Sequence, residues 1–174
     1  MPIYSFEGKE PNIDQLAYVH DDAIVIGDVV IGQECFIGAG AILRGDYGRI
    51  EVGSRTAIEE GCIVHAPPDE TCAIGNDVII GHGAIIHCSK IEDSAFIGMG
   101  SILSINAVVG EQAIVGEGAV VTQYQVIPPK KVAVGNPAKA TKDIPEAHKE
   151  MRARGQNLYV ELSRRYKVGL QKLR

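Results

Sequence analysis

Three histidines, His65, His82 and His87, fall within a span of twenty-three residues. Neutral imidazole is a ready ligand for a borderline-soft divalent ion. Three imidazoles that leave a fourth position open make the catalytic zinc arrangement. An ion held in that way polarises a carbonyl, or lowers the pKa of its bound water towards ~7. Carboxylates accompany the histidines at Asp46, Glu59 and Glu60, and a guanidinium at Arg44. Cys88 follows His87, but no second cysteine stands at the short spacing of a paired thiolate site, so it is left out of the ligand set. His20 and His148 stand apart and read as surface or corner residues.

A rhythm of six must position these side chains. Aliphatic residues recur as Ile13, Val19, Val25, Ile31, Ile37 and Leu43, restart as Val52, Ile58 and Val64, and again as Ile74, Ile80 and Ile86. The last run is Ile91, Ile97, Leu103, Val109, Val115, Val121 and Ile127. Gly often follows the aliphatic residue, as at Gly32, Gly53, Gly81 and Gly98. A small residue sits four places on, as at Ala23, Cys35, Cys62, Ala84 and Ser101. A period of six fits neither a helix nor a single amphipathic strand, so it marks a repeat. The aliphatic residue should point inward from a short strand and the small one fill a tight corner. Gly should supply backbone angles that other residues resist.

The pattern resembles that of the hexapeptide-repeat proteins, all-β solenoids in which three hexads make one triangular coil of a left-handed parallel β-helix. The resemblance covers about residues 11–138 and implies a β-helix domain over 1–140. Residues 141–174 then form a C-terminal helix packed on that domain, the whole being one unit. Asp143-Ile-Pro-Glu146 reads as a capping box with Pro in the first turn. Ala147, Met151, Leu158, Leu162 and Tyr166 form an apolar stripe, and Gly155 marks a point for the helix to kink or divide.

The rhythm breaks twice. Leu43 to Val52 is three residues too long, and Val64 to Ile74 four too long. With both excesses taken as loops, Leu43, Val64 and Ile86 lie one coil apart in a single column, about 4.8 Å between rungs. The residues that follow them, Arg44, His65 and His87, then stack on one outer edge. His82 comes two places after Ile80, on the preceding face, and projects from another part of the triangle. One chain therefore offers two histidines at an edge and a third elsewhere. A threefold assembly sets one edge of each subunit against a different face of the next, so His82 of one chain completes the pair on its neighbour.

The segments Leu43-Arg44-Gly45-Asp46, Val52-Gly53-x-Arg55-Thr56, Glu59-Glu60-Gly61-Cys62-Ile63-Val64-His65 and Gly81-His82-x-x-x-x-His87 resemble the γ-class carbonic anhydrases and their close relatives. The resemblance implies a homotrimer with zinc, or iron or cobalt, bound by His65 and His87 of one chain and His82 of the next. It implies reversible hydration of carbon dioxide to bicarbonate, with Arg44 and Asp46 linking subunits beside the metal. Some positions depart from that pattern. Glu59 stands where a glutamine orients the metal-bound water, and Tyr47 where the archetype has a glutamate. The acidic proton-shuttle loop is cut to residues 66–72, leaving Asp69 and Glu70 as shuttle candidates. Asn157 and Tyr159 take the archetype's Tyr and Asn in reverse order. Glu59, Arg44, Asp46 and Tyr159 are accordingly the candidate catalytic residues. A carboxylate at position 59 can accept a proton from the bound water, but its charge also raises that water's pKa.

A net charge of −5 and a pI near 5.5 argue against nucleic acid or an anionic membrane as partner. No apolar run approaches the ~18 residues of a membrane span, and no basic-then-apolar leader opens the chain, so a soluble cytoplasmic protein is expected. Twenty glycines, 5% aromatics and no Trp suit a narrow prism. Cys35 and Cys62 fall at small corner positions and read as compact buried hydrophobes. Three other readings compete with carbon dioxide hydration. Gly135-Asn-Pro-Ala-Lys139 resembles the tail of coenzyme A-dependent hexapeptide acyltransferases, and some γ-class relatives are thioesterase-like. A metal-bound trimeric scaffold without turnover is the third reading.

Overall fold

Inward-turned aliphatic side chains build the core. Val25, Ile37, Leu43, Ile58, Val64, Ile80, Ile86, Ile97, Leu103, Val109, Val115 and Val121 have no solvent exposure. The small residues behind them, Ala23, Cys35, Ala41, Cys62, Ala84, Ala95, Ser101, Ala107 and Ala113, are equally closed off. The computed structural model describes residues 2–87 and 90–174, and in the helix it describes no side chains at 147–149 and 151–153. The strands pair in parallel and stack as a left-handed β-helix of triangular coils.

The first face carries Ile3–Tyr4, the starts of Ile24–Ile31 and Ile42–Val52, then Ile63–His65, Ile85–Ile86, Ile102–Leu103 and Val120–Val121. The second carries Asn12–Ile13, the ends of the same two long strands, Thr71–Ile74, Lys90–Ile91, Val108–Val109 and Val126–Ile127. The third stacks Tyr18–Val19, Phe36–Ile37, Ala57–Ile58, Ile79–Ile80, Phe96–Ile97, Ile114–Val115 and Lys131–Val134. An antiparallel strand, Lys139–Asp143, closes that last sheet. Among the described residues no helix is long and apolar enough to cross a membrane.

The column of Leu43, Val64 and Ile86 is present, each facing the next across the ladder. The first insertion is not a loop, however. Ile42–Val52 is one strand that rounds the corner, pairing with Ile63–His65 at its start and Thr71–Ile74 at its end. Its other neighbour, Ile24–Ile31, rounds the same corner, with an irregularity between Gly27 and Val29.

The glycines of the repeat fall into two kinds, and the sequence-based reason fits only one. Those that follow the aliphatic residue do not have positive φ. They leave room for the next coil: a Cβ on Gly98 would lie 2.5 Å from Glu117 N, and one on Gly53 2.6 Å from the Gly75 carbonyl carbon. Left-handed angles occur two residues later, at Gly40, Gly61, Gly83, Gly100 and Gly118 (φ +64 to +70). These line the corner between the third and first faces. At the corner between the second and third, Glu34, Arg55, Asp77, Ser94, Gln112 and Lys130 adopt similar angles without being glycine.

The C-terminal helix spans Glu146–Gly169 without a break, so Gly155 neither kinks nor divides it. The capping box does not form. The N-cap is Pro145, which makes no side-chain cap bond, while the Asp143 carboxylate accepts from Lys131 Nζ at 2.7 Å. The helix packs on its own third face through Tyr159, Leu162 and Tyr166, against Tyr18, Phe36 and Ala57. The Phe36 ring lies 5.4 Å from Tyr159 and 5.5 Å from Tyr166. Leu162 and Tyr166 pack as their spacing predicts, whereas Leu158 is half exposed and Tyr159 takes its place in the stripe. Ala147 and Met151, and His148 with them, are outside the described side chains. Polar contacts fix the helix along the chain: Arg55 donates to Asn157 Oδ1 at 3.2 Å, and Gln156 donates to the Arg55 carbonyl.

Burial pushes both the Cys35 and Cys62 thiols up to about 11. At pH 8 only about one such thiol in a thousand is thiolate, the reactive form. Neither residue should react with a disulfide reagent in the native protein, and both should react on unfolding. Mass mapping of labelled peptides checks this, and native labelling at either position would contradict the closed core. Cys88 lies outside the described residues.

Candidate functional site

Arg44 faces His65 across the ladder, and His87 extends the column one rung on, its N–H bonded to the Leu103 carbonyl at 2.8 Å. The two imidazoles stack with centroids 4.9 Å apart and planes inclined by 24°. His65 Nε2 lies 3.1 Å from Asp46 Oδ1. Arg44 donates to the other oxygen of that carboxylate at 2.5 Å, and the Tyr47 N–H donates to Oδ1 at 2.9 Å. An ionised carboxylate only accepts, so the proton of a neutral His65 sits on Nε2 and Nδ1 keeps its lone pair. That Nδ1 lies 3.2 Å from His87 Nε2. Two nitrogens ligating one tetrahedral zinc at ~2.0–2.1 Å stand about 3.3 Å apart, so the pair fits an ion.

Burial raises the Asp46 pKa, but hydrogen bonds from Arg44, Tyr47 and His65, with the Arg44 charge, outweigh it and hold the group below its ordinary range. Burial also pulls His87 below its usual value, helped by the charges of His65 and Arg44. Both shifts favour forms suited to holding a cation, an anionic Asp46 and a neutral His87.

His82 lies elsewhere on the prism, beside the glycine corner. Its Nε2 is 2.9 Å from Glu59 Oε2 and its Nδ1 2.7 Å from Glu60 Oε2. Glu59 is 5% exposed and also accepts the His82 backbone N–H at 3.1 Å. Tyr159 reaches down from the helix to bond Glu59, and burial, with that bond and the Glu59 charge, raises its phenol. The candidate residues thus form two groups. Arg44, Asp46, His65 and His87 make one, and Glu59, His82 and Tyr159 the other. Within one chain, and among the described residues, no three His, Cys, Asp or Glu side chains converge on a metal position.

The remaining candidates take lesser places. Tyr47 is largely exposed and turns its edge to His65, with centroids 6.2 Å apart. Asp69 donates its N–H to the Tyr47 carbonyl, and Glu70 accepts from Asn106. Asn157 belongs to helix docking. His20 accepts the Asp22 N–H through Nδ1, a corner contact. The Glu60 contact with His82 is the one that the sequence reading missed. Both residues precede a corner glycine one coil apart, and that signal could have found it. Beside the histidine edge, Ile63, Ile85 and Ile102 stack in successive rungs with about 40% exposure each, an apolar stripe on the first face. A groove of about 610 Å³ on the second face, lined in part by Glu51, Lys90, Glu92 and Glu111, includes none of the candidate residues.

No family model matches the chain. It is 35% identical over 173 residues to the carnitine operon protein CaiE of a Proteus strain, across 98% of this chain and 86% of that one. CaiE of Escherichia coli O157:H7 is 44% identical over 103 residues, 59% of this chain and about half (53%) of the relative. A hexapeptide transferase family protein from Anaplasma phagocytophilum superposes with a TM-score of 0.90 at 34% identity, covering 95% of this chain and 98% of that one. A Bacillus cereus protein that carries an acetyltransferase name superposes at 0.91, also at 34% identity, over 95% and 96% of the two chains.

Proposed function

This chain belongs to the CaiE family of hexapeptide-repeat proteins, and on that premise we propose that it processes acyl groups carried on a coenzyme A-type thioester. The transferase names of its structural relatives support an acyl substrate over carbon dioxide. The observation that carries the site is the run from Asp46 through His65 to His87, a carboxylate holding one imidazole in a fixed tautomer against a second.

An oxygen of water or of an acceptor bonds the carbonyl carbon as the carbon–sulfur bond breaks. The sulfur leaves as thiolate and takes up the displaced proton. Arg44 is 40% exposed in its side chain and offers positive charge to the developing oxyanion. Asp46 holds both Arg44 and His65 in place. His65 and His87 of one chain, with His82 of the next, would hold zinc, or iron or cobalt, and an ion held there would supply Lewis-acid polarisation of the carbonyl. Glu59 arrives at the composite site with His82 and receives the proton of the attacking water, while Tyr159 keeps that carboxylate oriented. The exposed stripe of Ile63, Ile85 and Ile102 supports a homotrimer that closes on this face.

The 3.2 Å spacing of the histidine nitrogens favours a second reading, hydration of carbon dioxide by the same residues. One experiment separates the readings. Protein loaded anaerobically with zinc and then with ferrous iron is assayed for thiol release from acetyl-coenzyme A and for carbon dioxide hydration. Thiol release that falls at least 100-fold in His87→Ala, with weak hydration, is expected. Hydration without thiol release establishes the second reading. Full metal occupancy with neither activity leaves the non-catalytic scaffold.

A further inference from the structure

Both ring nitrogens of His82 face carboxylates, but the two carboxylates are held differently. Glu59 is buried at a strand end and takes several donors at once. Glu60 belongs to the corner itself. The Gly83 N–H bonds the Glu60 carbonyl at 2.9 Å, and Gly61 and Gly83 share nearly the same left-handed φ, +70 and +69. Glu60 and His82 therefore occupy the same corner position in adjacent rungs, and backbone register alone brings their side chains together. The coil before leaves room for this carboxylate: a Cβ on Gly38 would lie 2.9 Å from Glu60 Oε1 and 2.8 Å from Glu60 N.

A neutral imidazole that ligates through one nitrogen carries its proton on the other, and that N–H needs an acceptor. We propose that Glu60 is the positioning residue for His82. It accepts the Nδ1–H and leaves Nε2 as the nitrogen that parts from Glu59 and joins His65 and His87 of the neighbouring copy. The assignment rests on the reading above in which His82 is lent across the interface. In the separate chain Glu59 occupies the Nε2 side, so assembly exchanges one partner of the ring and keeps the other.

Cobalt(II) serves as the probe, titrated against a competing chelator and followed by its visible absorption. Long-range ¹H–¹⁵N spectra of the imidazoles report which nitrogen is protonated, and sedimentation reports the trimer. Glu60→Ala should weaken cobalt binding 10–100-fold while the trimer persists. Glu60→Gln, whose amide oxygen still accepts, should recover most of that loss. In the zinc-loaded wild type His82 should carry its proton on Nδ1. Binding by Glu60→Ala equal to wild type, in a protein where His82→Ala binds poorly, would overturn the role of Glu60 alone. Glu60→Gln binding as weakly as Glu60→Ala would overturn it too. Undiminished binding by His82→Ala would remove both this role and the shared site beneath it.

Discussion

Two inactive variants mixed in equal amounts should recover about a quarter of the wild-type metal sites. His65→Ala removes one nitrogen of the stacked pair, and His82→Ala removes the one lent to the next subunit. Each variant alone has no intact site and should bind metal poorly. Co-refolding places them at random in closed threefold rings. A site is whole only where the edge comes from the His82→Ala chain and its partner from the His65→Ala chain. Each condition is met about half the time in an equal mixture, which makes about one site in four. Metal analysis of the co-refolded trimers reads this directly. A mixture no better than its parents would mean that one chain supplies all three histidines. The positions of the rings argue against that, since His65 lies against Asp46 and His87 while His82 lies between Glu59 and Glu60.

Gly45→Ala should damage both fold and site. Gly45 separates Arg44 from Asp46, where two long strands round a corner together. A Cβ there would stand 2.5 Å from the Asp28 carbonyl oxygen and 3.1 Å from Val29 Cγ2. The facing Gly27 is as confined, its own hypothetical Cβ 2.3 Å from the Gly45 oxygen. Nearly all of these obstacles are backbone atoms, which do not rotate aside. Overpacking of this kind costs about 1–3 kcal/mol. A denaturant midpoint lowered by that amount is expected. Any shift of the strand also moves the Asp46 carboxylate that orients His65, so cobalt affinity should fall with it. An unchanged midpoint and unchanged affinity together would show that this corner yields freely.

Much of the fold can be read from a single period. Where Ile, Val or Leu recurs every six residues, one inward position per strand is specified, and the column Leu43, Val64, Ile86 follows by counting. The stacking of Arg44, His65 and His87 at one edge follows from the same count. Counting fails where register is not the cause. Nothing in residues 44–51 distinguishes a loop from a strand that bends, because the ladder partner Ile24–Ile31 decides it. In the helix stripe Leu162 and Tyr166 follow from spacing, but apolarity favours Leu158 where the aromatic cluster at Tyr18 and Phe36 selects Tyr159. Asp143 is a good cap by type, yet Lys131 on the adjacent strand takes its carboxylate. The glycines after each aliphatic residue looked like conformational requirements and proved to be clearances, a distinction visible only once the next coil is in place. The bond from Glu60 to His82 could have been counted, since both precede corner glycines.

Stacking also decides where the molecule can afford to loosen. A coil of this prism touches chiefly the coil on either side, so cooperativity runs along one axis, and the C-terminal helix ties together the coils that carry Tyr18, Phe36 and Ala57. Among the described residues the first face has seven rungs, with His65 on the fourth and His87 following the fifth. The coils on either side must open before a disturbance reaches the imidazole pair. The histidine edge thus lies inside the stack, with coils on either side of it.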